Sequence, residues 1–249
     1  MLLQSVLLFL SALLGGMGVL VMPKLKPATF KLVLVFAGSY LFSITVLHLL
    51  PDLFSFHPLT TRVGFYVLIG FFLQLFLGFF SKGVEHGHMY EAQQEDQHRS
   101  LSPLALFTSL CIHAFLDGVI LSNTISAHLH HTHTTNRLLV GIILHKASEC
   151  FALVSVLSGL MHKKKIITLY LLFFSLTSPL GLWISRYCTQ QCLLTKEGFI
   201  ALAAIASGNF LHISTTIFFE SSPHHRFSSQ RLIASLAGAG LVVLLEYLL

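Results

Sequence analysis

Residues 103–125 read PLALFTSLCIHAFLDGVILSNTI, and residues 138–161 read LLVGIILHKASECFALVSVLSGLM. Each is an apolar run long enough to cross a bilayer as a helix, which takes about 20 residues. Each also carries ionisable side chains near its middle: His113 and Asp117 in the first, His145, Lys146 and Glu149 in the second. An ionisable residue at that depth is costly and marks a functional position by default. Both runs repeat one pattern, a histidine followed four residues later by a carboxylate. Residues i and i+4 lie on one face of a helix, about 6 Å apart along its axis. Two such helices facing each other present two imidazoles and two carboxylates to one point. That donor set suits tetrahedral zinc and tolerates other divalent first-row metals. A single pair of this kind could be a self-satisfied polar contact. Two matched pairs on adjacent spans favour a metal site, because the cation offsets the cost of burying two carboxylates.

Working outward, apolar stretches of similar length recur along the chain. They predict eight spans at about 2–22, 32–50, 63–80, 103–125, 138–161, 166–185, 198–219 and 232–249, by the same length rule. The 249 residues are 54% hydrophobic and only 10% charged, against about 25% charged in an ordinary soluble domain. The expectation is an all-α polytopic membrane protein with one integral membrane domain over 1–249. The first stretch lacks a basic leading region and a small-residue cleavage site, so it counts as a span rather than a signal peptide. The formal charge of +5 comes from short scattered clusters, not from a basic stripe of the kind that binds nucleic acid. The lipid bilayer is the partner implied, and no nucleic acid is expected.

Lys and Arg placement sets the predicted orientation. The connections after spans 1, 3, 5 and 7 hold ten, from Lys24 to Arg231, and the opposite connections hold four: Arg62, Arg137, Arg186 and Lys196. The odd-numbered connections are therefore read as cytoplasmic and both termini as extracytoplasmic. The cytoplasmic loop 82–102 carries His86, His88 and His98, and the external loop 126–136 carries His128, His130, His131 and His133. Histidine-rich tracts bind transition metals weakly, and equally occur as plain solvated loops. Span 2 ends in His48-Leu49-Leu50-Pro51-Asp52, a polar cluster that could form an entrance. Span 6 carries Ser175, Thr177, Ser178 and Pro179, which predict a kink. Span 7 carries His212, read either as a pathway residue or as a packing residue. Cys188 and Cys192 could bridge or help hold a metal, whereas Cys111 and Cys150 read as small buried side chains.

These residues resemble the ZIP (Zrt/Irt-like) family of divalent metal transporters. The resemblance rests on His113-Ala114-Phe115-Leu116-Asp117-Gly118 in span 4 and His145-Lys146-Ala147-Ser148-Glu149 in span 5. Weaker matches are His48-Leu49-Leu50-Pro51, Ser178-Pro179-Leu180-Gly181 and Gly208-Asn209-Phe210-Leu211-His212. It implies a transport site whose ligands are His113, Asp117, His145 and Glu149, and movement of spans 1, 4, 5 and 6 against spans 2, 3, 7 and 8. The family's second-metal positions are occupied here by Ala114 and Lys146, with no acid in span 6. The resemblance therefore implies a single-metal site with the Lys146 ammonium in the place of the second cation. Leu116 and Ser148 stand where the family has prolines, which implies milder helix breaks.

The expected function is import of Zn2+, or of Fe2+, Mn2+ or Cd2+, into the cytoplasm across a plasma or bacterial inner membrane. Metal would enter near His48 and Asp52 and leave past His86 and His88. It would travel as substrate rather than as a catalytic cofactor, and a homodimer is left open. No G-x4-G-K-[ST] loop suggests ATP as the drive. The alternative is a membrane-embedded zinc hydrolase using the same cluster with Glu149 as base, although catalytic zinc usually keeps three protein ligands and one open position.

Overall fold

The structure is a computed structural model that describes residues 1–21, 27–55, 60–81, 84, 102–122, 132–161, 163–220 and 228–248. Among the described residues the chain is all helical, with no strand, and eight helices are long and apolar enough to cross a membrane. This is a multi-pass membrane protein. We label the helices α1 (Leu2–Val21), α2 (Pro27–Ile44), α3 (Leu50–Phe54), α4 (Thr60–Ser81), α5 (Pro103–Ile120), α6 (Thr132–Leu160), α7 (Lys164–Gln190), α8 (Lys196–Glu220) and α9 (Ser229–Leu248). A π-helical turn, Thr45–Leu49, joins α2 to α3 so that span 2 runs on to Phe54. Pro51 explains the turn. It donates no N–H and its ring crowds the carbonyl four residues back, so the ladder widens and the N–H of Leu50 bonds the carbonyl of Thr45.

Each of the eight predicted stretches overlaps a helix, with its ends shifted. The helix of span 5 starts at Thr132 rather than 138, which draws Arg137 out of the predicted loop and into a buried position. Span 6 continues to Gln190 with Pro179 inside it. It stops there because Cys192 takes the left-handed conformation (φ 55°), and the N–H of Leu193 reaches back to the carbonyl of Cys188. Such a turn closes the last open carbonyls of a helix. Cys188 and Cys192 are not bridged. The loop residues His86, His88, His98, His128, His130 and His131, and the side chain of His133, lie outside the described residues.

The helices pack in two groups. α1 lies against α6 and α7, and α5 lies against α7. In the other group α4 packs along α8, and α2 packs along α9 and α8. The groups meet chiefly where α2 touches α6 and where α4 and α8 touch α5. Small residues set these contacts: a methyl group on Gly70 or Gly208 would strike the backbone of the facing helix, at Ile205 and Val67 respectively. Close backbone approach is the usual way helices associate where lipid removes the hydrophobic drive between them.

The interior is layered along the helices. One apolar cluster includes Leu106, Leu110, Leu153, Leu157, Leu171 and Phe174, and a second includes Leu41, Ile44, Ile120, Ile142, Leu182 and Phe210. Between them, on four helices, lies a polar layer: His113, Asp117, His145, Lys146, Glu149, Ser175, Ser178, Asn209 and His212, all buried. Phe65, Phe72, Phe173, Trp183 and Leu236 are exposed, as suits a lipid-facing surface.

Candidate metal centre

The centre is built where α5 and α6 face each other without touching closely. α7 holds α5 in place through two glycines. A methyl group on Gly118 would collide with the carbonyl of Ser178, and one on Gly181 with the carbonyl of Phe115. Oγ of Ser178 adds a hydrogen bond across this contact, donating to the carbonyl of Ala114 at 2.7 Å. α1 supports α6 in the same way, because Gly15 sits directly on the backbone of Ala147. The space left between α5 and α6 is spanned by side chains rather than by backbone contact. Neither helix is interrupted, in keeping with the non-proline residues Leu116 and Ser148 ahead of the two carboxylates.

His113 and His145 meet there edge to face, their ring centroids 5.6 Å apart at 82°. One donor atom from each of His113, His145 and Glu149 lies within 4.8 Å of the others. All three residues are at most 1% exposed. Bonds of about 2.0–2.2 Å to one zinc ion would put the donors about 3.4 Å apart in a tetrahedron. A modest contraction would bring this group to the spacing that a bound cation requires. Among the described residues this is the group of three or more candidate ligands that comes within such reach.

Asp117 stands beside the group. Its Oδ1 lies 3.5 Å from Nε2 of His113, and its Oδ2 lies 2.7 Å from Nζ of Lys146. Lys146 also donates to Oε2 of Glu149 at 2.6 Å, and its ammonium sits 5.2 Å from the centre of the Phe174 ring. The lysine thus bridges the carboxylates of both helices. On a helical wheel it lies about 100° from His145 but only about 60° from Glu149, so its long stem reaches the carboxylate its own helix contributes. A buried ammonium needs such partners, and two carboxylates without it would be left as uncompensated charge.

The remaining predicted positions lie elsewhere. His212 is buried on α8 with its ring 4.9 Å from that of Phe71 on α4, outside the three-ligand group. Asp52 is half-buried in the first turn of α3. His48 sits in the π turn with Nε2 3.0 Å from Oε2 of Glu246. The same oxygen is bonded by Nη1 of Arg137. Sequence reasoning treated Arg137 as a loop cation and passed over Glu246. The available signal was a lone carboxylate inside the last apolar run and a basic residue next to the start of another.

The family model described as "ZIP Zinc transporter" matches residues 81–246, which include all five charged or histidine residues between α5 and α6. Among curated proteins, Protein zntD of Dictyostelium discoideum is 30% identical over 141 residues, covering 53% of this chain. The chain spans only 20% of that relative's length. With two thirds of its length matched and the eight helices in place, the chain belongs to the ZIP zinc transporter family.

Proposed function

We propose that this protein carries a divalent transition-metal cation, zinc first among them, into the cytoplasm through one site between α5 and α6. The observation that carries the reading is the group of His113, His145 and Glu149. These ligands converge within 4.8 Å and are buried midway between two apolar layers. A site closed on both sides by apolar packing suits a carrier, which exposes its cargo to one face at a time, better than an open pore. His113, His145 and Glu149 would bind the cation directly, and Asp117 completes the set once Lys146 releases it. The two helix groups supply surfaces that can slide: α5 and α6, with the ligands, belong to one group, and α2, α4, α8 and α9 form the other. The single lysine in contact with both carboxylates supports one metal rather than two.

Reconstituted protein should take up zinc into liposomes, and the double variant His145→Ala, Glu149→Ala should not. Uptake at the wild-type rate in that variant would remove the site. The three-ligand count also fits catalytic zinc with an open position, the one feature that favours a hydrolase. A His113-dependent release of fatty acid from lipid, without zinc flux, would establish that reading instead.

A further inference from the structure

The group at Glu246 is separate from the buried centre and joins helices that belong to opposite groups. Glu246 lies in the last turn of α9, and its side chain is 50% exposed. Arg137, on α6 and itself buried, donates to its carboxylate through Nη1 and approaches its backbone carbonyl through Nη2 at 3.5 Å. The backbone carbonyl of Arg137 accepts the hydroxyl of Tyr40, on α2, at 2.9 Å. Arg137 is therefore held from two sides by the group that does not contain it. His48 approaches the same Glu246 oxygen to 3.0 Å, close to the separation of about 3.4 Å that two donors adopt around one tetrahedral zinc. This is the end of the bundle that the distribution of Lys and Arg in the sequence is expected to place outside the cytoplasm.

We propose that His48 and Glu246 form a second, outer site for a divalent cation, and that Arg137 occupies it as a tethered cation when metal is absent. In that state the Arg137–Glu246 pair and the Tyr40 bond tie α6 to α2 and α9 and keep this face closed. A dication taking Nε2 of His48 and the Glu246 carboxylate displaces the guanidinium and leaves only the Tyr40 bond between the groups here. With two protein ligands and water for the rest, the outer site captures metal weakly and passes it inward. Asp52, one turn beyond His48, does not join these two in a three-ligand group. This inference deepens the transport reading and rests on it for direction of movement, but the site itself can be tested without flux.

The test is equilibrium zinc binding to the purified full chain in detergent, in the His145→Ala, Glu149→Ala background that lacks the inner site. One weak equivalent of zinc should remain, and should vanish on adding Glu246→Gln or His48→Ala. Arg137→Lys keeps a cation but loses the two-pronged hold, and should tighten that binding about fivefold, which is about 1 kcal/mol. Residual binding indifferent to both Glu246→Gln and His48→Ala would assign it to the loop histidines and overturn the outer site. Loss of binding in those variants with no tightening in Arg137→Lys would leave the site and overturn the displacement of Arg137. Absence of zinc flux in the wild type would refute transport without altering either binding result.

Discussion

Lys146 gives the sharpest quantitative consequence. In the metal-free protein its ammonium makes two short, charge-assisted contacts, 2.7 Å to Asp117 and 2.6 Å to Glu149. Hydrogen bonds of that kind contribute about 1.5–3 kcal/mol each, so freeing both carboxylates for a metal opposes binding by about 3–6 kcal/mol gross. The displaced ammonium recovers part of this from water. A net opposition of about 1.5–3 kcal/mol corresponds to roughly ten- to hundredfold in affinity. Lys146→Met keeps the apolar stem and removes the charge. Zinc affinity, measured by chelator competition on purified protein, should rise by at least roughly tenfold. Two consequences accompany it. Without zinc, two buried carboxylates lose their partner, so the Tm should fall in line with a cost of about 3–5 kcal/mol, and zinc should restore it. The empty carrier must then reorient with uncompensated charge, so maximal uptake should drop although half-saturation moves to lower zinc. Equal or weaker zinc affinity in Lys146→Met would refute the idea that the lysine competes with the cargo for its ligands.

The α5–α7 contact makes two further predictions. Gly118→Ala should lower the Tm by the equivalent of about 1–3 kcal/mol, because its methyl group meets the Ser178 carbonyl. Gly18→Ala, in open space on α1, should be neutral or stabilising by about 0.5–1 kcal/mol from helix propensity. Thermal melts of both variants check the pair, and equal shifts would contradict the packing argument. Ser178→Ala removes only one interhelical hydrogen bond and should cost about 0.6 kcal/mol, less than Gly118→Ala in the same melts.

Most of the fold was legible because lipid imposes a single requirement, about 20 apolar residues per crossing, and the chain meets it eight times. The candidate pairs were visible for a related reason: charge is so rare inside the spans that His113, Asp117, His145 and Glu149 stand out by position alone. What escaped depended on three-dimensional neighbours. The helix of span 5 begins at Thr132, which puts Arg137 on a helix, where Glu246 and Tyr40 contact it and it is buried. Glu246 gains meaning only from Arg137 and His48, which are distant in sequence and share no pattern with it. Lys146 was visible in the sequence as a cation inside span 5. Its contact with Asp117 on the facing helix depends on how far α7 and α1 hold α5 and α6 apart, and glycine positions signal that only once the partners are known.

The central claim is that the cation sits between α5 and α6. Anomalous diffraction at the zinc absorption edge from zinc-loaded crystals tests it directly. The account predicts a strong peak bonded at about 2.0–2.2 Å to His113, His145, Glu149 and Asp117, with Nζ of Lys146 moved away from both carboxylates. A principal peak elsewhere, with Lys146 still bridging Asp117 and Glu149, would contradict it.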